Sequence, residues 1–301
     1  MRLLVTGATG FVGGRLARRL LDEGHEVRCL VRDRDRDRAR ELERAGCELH
    51  EGDVLESDSL DGAGEGIDLA YYLVHSMGRG GDAGFAEREQ RAARNFAAAM
   101  RDGGVGRVVY LGGLGDEPSS EHLRSRAQTA EILAAEGPPL TYFRAAMVVG
   151  SGSESYRTLR SLVERLPVMI APAWLQTPTQ PVAVDDVIAY LAAAPEVEAS
   201  KGHEVQLGGP DVLSYGEMLD GMAEALGKSP RPRVPVPLLT PWLSSLWIGL
   251  VTPVDAGVAR PLIEGLRSET VVTDPSGMAL FDVEPVGFDV ALRRALAEDE
   301  G

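Results

Sequence analysis

A glycine-rich segment near the start of the chain, residues 6–13 (Thr-Gly-Ala-Thr-Gly-Phe-Val-Gly), limits the folds open to this sequence more than any other feature. It follows a short apolar stretch at residues 2–5 and opens residues 11–23, where apolar side chains recur at helical spacing. Between a strand and a helix, glycines at this spacing permit a tight turn, a close approach of the backbone to a pyrophosphate and close helix–strand packing. The N–H groups and the dipole of the helix N-terminus then attract phosphate. The segment predicts a dinucleotide site formed by Gly7, Thr9, Gly10, Phe11, Val12 and Gly13.

Strands and helices alternate through the first half of the chain. After the first strand and helix, apolar runs predict strands at residues 26–31, 48–51, 69–74, 107–111 and 140–146, and helices at residues 37–45, 85–102 and 121–136. This order predicts an α/β fold, a Rossmann doubly wound parallel sheet with helices on both faces. We expect residues 1–150 to form this domain and residues 151–301 to form a smaller C-terminal cap, with about residues 176–210 returning to the sheet.

The residue after the second strand indicates which nucleotide is bound. NAD-binding proteins of this type place an acid there, which holds the adenosine 2′-hydroxyl. This chain has Arg32, followed by Asp33 and Arg34. Because a guanidinium forms charge-assisted hydrogen bonds with a 2′-phosphate, Arg32 favours NADP(H). NAD(H) is the alternative if the strand runs one residue longer and Asp33 acts as the acid. A solvated Arg/Asp run through residue 38 is the third interpretation.

The end of the third strand provides another candidate contact with the cofactor. Asp53 and Val54 follow this strand directly. We expect Asp53 to accept a hydrogen bond from the adenine amino group. The alternative is that Gly52 and Asp53 form an ordinary turn.

The end of the fourth strand provides three more candidate contacts with the cofactor, Leu73, Val74 and His75, and Ser76 follows them. Strand ends meet at the cofactor crevice of a doubly wound sheet. We therefore expect His75 and Ser76 to lie beside the ribose or the nicotinamide. Capping of the loop is the alternative role for these two side chains.

Charge and composition exclude several classes of protein. The net charge of −15 is opposite to what phosphate contacts with nucleic acid require. No apolar run approaches the roughly 20 residues that span a bilayer, and the N-terminus enters a strand without a secretory leader pattern. Cys29 and Cys47 lack the spacing of metal ligands and are interpreted as reduced, buried side chains, so no metal site is predicted. These features favour a cytoplasmic protein.

An apolar run lies in the less regular C-terminal part, beginning at Trp242 and ending at Val251. It contains two tryptophans and follows a proline-rich stretch. Helices that lie on a membrane surface usually carry Lys or Arg on their polar face, and this run has neither. We expect it to form a wall of an apolar ligand pocket. Peripheral contact with a membrane or with a quinone is the alternative.

These motifs resemble the short-chain dehydrogenase/reductase superfamily. The resemblance rests on residues 6–13, on Gly52-Asp-Val and on residues 107–111 (Arg-Val-Val-Tyr-Leu). More narrowly, the chain is similar to the extended and atypical branch, which includes NmrA-like redox sensors, isoflavone-reductase-like enzymes and an accessory subunit of respiratory complex I. The resemblance implies that residues 143–147 lie beside the nicotinamide, with Ala145 and Ala146 in contact. It also implies that residues 181–187 lead the chain back from the cap.

The chain departs from this superfamily where catalysis is expected. Catalytic members have a serine at the end of the fifth strand and a Tyr-x-x-x-Lys pair on the next helix. Here the strand ends Leu-Gly-Gly at Gly113, and His122 and Arg126 stand in the position of the pair. A spacing of four places both on one helical face. His122 is a candidate acid or base and Arg126 an electrostatic anchor. The alternative is a cofactor-binding protein without catalysis.

Three functions follow from these observations. The first is NADPH-dependent reduction of a small apolar acceptor, such as a quinone, an enone or an aldehyde. The second is a non-catalytic NADP(H)-binding sensor or assembly subunit, which the missing serine and Tyr-x-x-x-Lys pair favour. The third is a nucleotide-sugar epimerase, as in many extended members, although the loss of the tyrosine counts against it.

Overall fold

A parallel sheet lies at the centre of the computed structural model, which describes residues 1–74, 84–115, 121–166, 168–235 and 268–300. The strands in these ranges are β1 (Arg2–Thr6), β2 (Glu26–Val31), β3 (Glu48–Glu51), β4 (Leu69–Tyr72), β5 (Arg107–Gly113), β6 (Leu140–Ala145), β7 (Val148–Val149), β8 (Met169–Ala171), β9 (Pro178–Thr179), β10 (Val182–Ala183), β11 (Glu204–Leu207), β12 (Leu213–Ser214) and β13 (Arg233–Pro235). Seven of the described strands form the sheet in the order β11-β6-β5-β4-β1-β2-β3. Every neighbouring pair within it is parallel.

Helices cover both faces of this sheet, which confirms the predicted Rossmann-like α/β fold. In the described ranges they are α1 (Phe11–Asp22), α2 (Asp37–Ala45), α3 (Phe85–Asp102), α4 (Glu121–Glu136), α5 (Glu154–Arg165), α6 (Val184–Ala193), α7 (Tyr215–Ala225) and α8 (Phe288–Glu300). Leu16 and Leu20 of α1 and Leu191 of α6 pack on one face. Phe96 of α3 and Leu133 of α4 pack on the other. In each of these helices the apolar side chains form a stripe that packs against the sheet.

A third apolar core lies in the C-terminal half. It joins α5, α7 and α8 through buried side chains that include Tyr156, Met218 and Leu292. At the start of α7, the hydroxyl of Ser214 accepts a hydrogen bond from the backbone of Glu217, and the Glu217 carboxylate accepts one in return. This is the capping box that the sequence spacing indicates.

Two strand ends differ from the sequence-based prediction by two residues, and those of β1 and β6 differ by one. Strand β4 ends at Tyr72 rather than at residue 74, because the N–H of Leu73 donates to the side chain of Thr6 instead of to a backbone carbonyl of the neighbouring strand. Strand β5 runs to Gly113 rather than to residue 111, because its pairing with β6 continues through Ala145. Both ends lie on the carboxyl edge of the sheet, where ligands of doubly wound folds bind.

Candidate functional site

The turn between β1 and α1 is fixed by hydrogen bonds from Thr6. Its Oγ1 donates to the carbonyl of Tyr71 at 3.0 Å and accepts from the N–H of Leu73 at 3.0 Å. Gly7 follows with φ of +64°, a conformation that L side chains rarely adopt. A Cβ at Gly7 would also overlap the carbonyl of Leu73. The ends of β1 and β4 are thereby held together, and only glycine fits between them.

Helix α1 begins with free backbone donors. Gly10 is its N-cap, and no side chain caps the helix or places an acid in the first turn. Gly13 packs so closely on the turn that a Cβ there would lie 2.7 Å from the carbonyl carbon of Gly7. Thr9 is exposed, and Phe11 and Val12 are half-buried. The cradle that a pyrophosphate requires is therefore formed, with the positive end of α1 open toward it.

Arg15 links this cradle to the C-terminal half. Its guanidinium lies 4.6 Å from the centre of the Phe11 ring and donates to the carbonyl of Ser151 at 2.9 Å. It also forms an ion pair with Glu298 of α8. The next residue, Asp299, accepts hydrogen bonds from Ser151 and from Tyr156. These contacts fasten the last helix to the loop that covers Phe11.

The segment after β2 presents arginines near the cradle. Arg32 is exposed, and in the part of the chain that the structure describes it has no hydrogen-bond or ion-pair partner. Asp33 is instead used within its own turn, where it accepts from the N–H of Asp35 at 2.9 Å and pairs with Arg36 at 3.4 Å. Arg34 pairs with Glu43 at 3.5 Å. The acid that would bind a 2′-hydroxyl is thus occupied, and Arg32 is available.

A second arginine, Arg38, reaches the cradle itself. Its Nη1 donates to the carbonyl of Thr9 at 2.8 Å. A cleft of about 290 Å³ opens beside this contact, and Arg15, Arg18 and Glu41 also line it. The sequence placed Arg38 in a charged run without a role. Helix α2 begins at Asp37 as the sequence predicts, but the contact of Arg38 with Thr9 appears only in the folded structure.

Asp53 is held in place at the end of β3. Its Oδ1 accepts from the N–H of Leu55 at 2.9 Å, and its own N–H donates to Oγ of Ser59 at 2.9 Å. The carbonyl of Val54 accepts from the side chain of Asn95 on α3 at 2.9 Å. The alternative interpretation of Gly52 and Asp53, a turn, therefore matches the structure. Its contact with adenine stays a prediction.

The ends of β4 and β6 flank β5 at the same edge. Leu73, Ala145 and Ala146 are buried, and Val74 is half-buried. The N–H of Leu114 donates to the carbonyl of Ala145 at 2.8 Å, which joins the chain after β5 to the end of β6. His75 and Ser76 lie outside the described residues, as does the run from Trp242 to Val251.

The end of β5 has no room for the serine of catalytic relatives. A Cβ at Gly112 would lie 2.8 Å from the hydroxyl oxygen of Tyr142. A Cβ at Gly113 would lie 2.8 Å from Cδ2 of Leu123 and 3.5 Å from Nη1 of Arg126. Side chains from β6 and α4 therefore fill the space beside both glycines.

Arg126 brings a positive charge to this strand end. Its side chain is half-buried, and its Nε is buried without a hydrogen-bond partner. Its backbone carbonyl accepts from the hydroxyl of Tyr110 at 3.3 Å. His122 lies one turn earlier on α4, and its side chain is outside the described residues. The predicted site thus retains Arg126, at the edge where the nicotinamide of a bound cofactor is expected.

Arg144 fixes the loop after β5 and was not identified from the sequence. Its Nη2 donates to the carbonyl of Gly115 at 2.7 Å, and its Nη1 pairs with Glu204 at 2.7 Å. The side chain thus ties β6, β11 and the end of β5 together. No local pattern distinguishes this arginine from others in the chain.

Sequence comparison assigns the family. The model of the NmrA-like family matches residues 1–239, so the chain belongs to that family. It is 28% identical over 230 residues to a ceramide reductase of Caulobacter vibrioides, covering 75% of this chain and 71% of that protein. It is 27% identical over 244 residues to the mitochondrial NADH dehydrogenase [ubiquinone] 1 alpha subcomplex subunit 9 of Arabidopsis thaliana, covering 78% of this chain. That match spans 60% of the plant protein's length.

Solved structures share the fold. The NADPH-dependent quinone oxidoreductase of Escherichia coli, complexed with NADPH, superposes with a TM-score of 0.77 at 17% identity over 96% of this chain and 98% of that one. A UDP-glucose 4-epimerase of Thermotoga maritima superposes with a TM-score of 0.73 at 16% identity, over 100% of this chain and 99% of that one. The chain therefore has an NAD(P)-binding Rossmann-like fold within a family of oxidoreductases.

Two further features are absent from the described ranges. No helix there has both the length and the apolar character needed to cross a bilayer. No three His, Cys, Asp or Glu side chains there converge as ligands of a metal ion would.

Proposed function

We propose that this NmrA-like family member is an NADPH-dependent oxidoreductase that reduces a small apolar acceptor, such as a quinone, an enone or an aldehyde. The observation that carries the proposal is the arrangement of arginines at the cradle. Arg32 is exposed after β2, and Arg38 is anchored on Thr9. Asp33, the acid that would favour NAD(H), is engaged by Asp35 and Arg36. Two guanidinium groups beside the cradle suit the additional phosphate of NADP(H).

Each part of the cofactor has a candidate partner in the chain. The pyrophosphate fits the N-terminus of α1, where Gly7, Gly10 and Gly13 keep side chains out of the way. Arg32 and Arg38 are proposed to hold the 2′-phosphate. When bound, NADPH supplies the hydride for reduction.

Two residues of α4 are proposed to act on the acceptor. The guanidinium of Arg126 lies at the end of β5, where it would anchor the acceptor electrostatically. His122, one helical turn away, is proposed as the proton donor, because an imidazole titrates near neutral pH. Neither role needs the Ser and Tyr-x-x-x-Lys set of the superfamily.

Relatives whose names describe reductions support this proposal. One is the Caulobacter ceramide reductase. Another is a (4-alkanoyl-5-oxo-2,5-dihydrofuran-3-yl)methyl phosphate reductase of Streptomyces griseus, 27% identical over 238 residues. We also propose that the protein is cytoplasmic and that it divides near residue 150 into a cofactor domain and a cap.

Oxidation of NADPH in the presence of acceptors tests the proposal. Purified protein is mixed with NADPH and a panel of benzoquinones, enones and aldehydes, and the loss of NADPH absorbance is followed. We expect turnover with at least one class and a strong preference for NADPH over NADH. Tight NADPH binding without oxidation by any acceptor would contradict the enzymatic function.

A non-catalytic NADP(H)-binding protein is the second candidate. It is favoured by the end of β5, where Tyr142 and Leu123 fill the space of the superfamily's serine. The named relative in respiratory complex I is consistent with an assembly or sensing role. Oxidation of prebound NADPH in a single turnover with an acceptor would exclude it. An epimerase is disfavoured, since no Tyr-x-x-x-Lys pair follows β5, and binding of a nucleotide sugar would revive it.

A further inference from the structure

Among the residues that the structure describes, most arginines are paired with carboxylates, and Arg126 is not. Arg28, Arg107 and Arg144, for example, are well buried and form ion pairs with glutamates at 2.9 Å, 2.5 Å and 2.7 Å. Within the described ranges Arg126 forms no ion pair, and its Nε has no hydrogen-bond partner. A half-buried charge without a partner is costly, and native structures rarely retain one without use.

The groups around Arg126 do not neutralise it. Tyr110 and Tyr142 lie beside it in stacked geometry, with ring centres 5.2 Å apart. Burial raises the pKa of Tyr142 to about 12, so its hydroxyl stays neutral at physiological pH. The charges of Glu89 and Glu131 act on these tyrosines. The positive charge is therefore left for a ligand.

The position of Arg126 indicates which ligand. Its Nη1 lies against Gly113, the last residue of β5, on the carboxyl edge of the sheet. Ser125 precedes it, and the Ser125 hydroxyl is also buried without a hydrogen-bond partner. Both residues lie in the second turn of α4. Arg32 and Arg38 are at the other end of the crevice, beside the first strands.

We infer that Arg126 binds an anionic group of the acceptor, a carboxylate or a phosphate, so that the substrate is an apolar carbonyl or enone compound with one negative charge. This inference rests on the proposed reductase function and narrows it from any small apolar acceptor to this class. A guanidinium fits both anions through paired N–H donors. The apolar remainder of the acceptor would lie toward the nicotinamide position.

A matched pair of acceptors tests this inference. 4-Carboxycinnamaldehyde and its methyl ester share a skeleton and differ in one charge. We expect the wild-type protein to show a higher kcat/KM for the carboxylate than for the ester. In Arg126→Gln the ratio of the two values should fall by roughly 30-fold or more, the usual effect of removing one partner of a buried charge pair. Arg126→Lys, which keeps the charge, should retain part of the preference.

Two controls separate a charge effect from loss of structure or of cofactor. Arg91→Gln makes the same substitution at an exposed position on α3 and should leave the ratio unchanged. NADPH affinity, measured by fluorescence, should change in Arg126→Gln by much less than the ratio does. A fall in NADPH affinity as large as the fall in the ratio would overturn the inference, because Arg126 would then be holding the cofactor. An equal loss of kcat/KM for both acceptors would also overturn it.

Direct binding gives a readout that does not depend on turnover. Cinnamate is added with NADP⁺, and the shift in unfolding temperature is compared between wild type and Arg126→Gln. Stabilisation of the wild type alone supports the anion site even if neither aldehyde is reduced, an outcome that would weaken only the reductase proposal. No stabilisation of the wild type, or equal stabilisation of both proteins, would overturn the anion site.

Discussion

The Nη1 of Arg38 donates to the carbonyl oxygen of Thr9 at 2.8 Å, so the first turn of α2 is tied to the glycine-rich turn before α1. Thr9 is in the cradle proposed for the pyrophosphate, and Arg38 brings a guanidinium beside it. The contact keeps this charge at the adenosine end of the crevice.

Replacing Arg38 should weaken NADPH binding selectively. In Arg38→Ala we expect the Kd for NADPH to rise about tenfold, because one charge-assisted hydrogen bond to a phosphate is lost. The Kd for NADH should change by less than about twofold, since its adenosine carries no 2′-phosphate. Fluorescence titration with both nucleotides measures these values. Arg44→Ala, an exposed arginine at the end of α2, is the control. If the ratio of the Kd for NADH to the Kd for NADPH is the same in Arg38→Ala as in the wild type, Arg38 does not select the nucleotide.

Gly13 is expected to tolerate no side chain. In Gly13→Ala the new Cβ would meet backbone atoms of Gly7 and Ala8, which cannot rotate away. We expect NADPH binding to be lost and the free energy of unfolding to fall by about 1–3 kcal/mol, as in overpacked sites. Urea unfolding and NADPH titration measure the two effects separately.

Gly14→Ala is the matched control for that substitution. Its Cβ would stand 3.1 Å from the carbonyl of Ala8, a tighter contact than usual but not an overlap. Alanine also gains about 1 kcal/mol of helix propensity over glycine. Gly14→Ala should therefore fold and bind NADPH much better than Gly13→Ala. Equal binding by both variants would show that the close packing at Gly13 is not required.

The two hydrogen bonds of Thr6 should stabilise the protein measurably. Thr6→Val keeps the shape of this fully buried side chain and leaves the carbonyl of Tyr71 and the N–H of Leu73 without their partner. Unsatisfied buried groups of this kind cost about 1–3 kcal/mol. Urea unfolding of Thr158→Val, which loses one hydrogen bond within α5, gives the comparison and should differ from wild type by less than about 0.5 kcal/mol. Equal stability of the two variants would contradict the role of Thr6.

The contact between α8 and the loop over Phe11 should depend on pH through Asp299. Burial opposes ionisation of Asp299, but hydrogen bonds from Ser151 and Tyr156 and the charge of Arg160 outweigh it and lower its pKa. A carboxylate with a depressed folded-state pKa contributes stability above its unfolded-state value of about 3.9, and this is lost as the pH falls through the folded-state pKa. Asp299→Asn should therefore be less stable than wild type at pH 7, by about 1 kcal/mol.

That difference should shrink toward zero as the pH is lowered through the folded-state pKa of Asp299, below which the carboxyl is protonated in both states. Asp289→Asn is the control, since Asp289 forms an exposed pair with Arg293 that is worth little. Urea unfolding at several pH values gives the profile. A destabilisation of Asp299→Asn that stays constant with pH would show that its charge is not the cause.

Much of the fold is predictable from the sequence, because its signals are local. The alternation of apolar strands and amphipathic helices predicts the parallel sheet, and the three cradle glycines occur where a strand meets a helix. Ser214 and Glu217 likewise form the capping box that their spacing indicates. In each case the sequence pattern that carries the signal lies within a short stretch of the chain.

The remaining features of the site depend on contacts between distant segments. The extension of β5 to Gly113 depends on pairing with β6. The space beside Gly112 is filled by Tyr142, a residue of another strand. The unpaired state of Arg126 is visible only once its surroundings are assembled. Arg38 lies in a run of alternating arginines and aspartates, and nothing in that run distinguishes it from the other arginines. Only its contact with Thr9 does so.

Titration of the wild-type protein with NADPH and with NADH, followed by fluorescence, tests the central claim most directly. We predict saturable binding of one NADPH per chain, at least about tenfold tighter than NADH, because Arg32 and Arg38 hold the 2′-phosphate. The preference should disappear in the double variant Arg32→Ala/Arg38→Ala, with NADH binding retained. Absence of NADPH binding, or NADH binding at least as tight as NADPH binding in the wild type, would contradict the assignment.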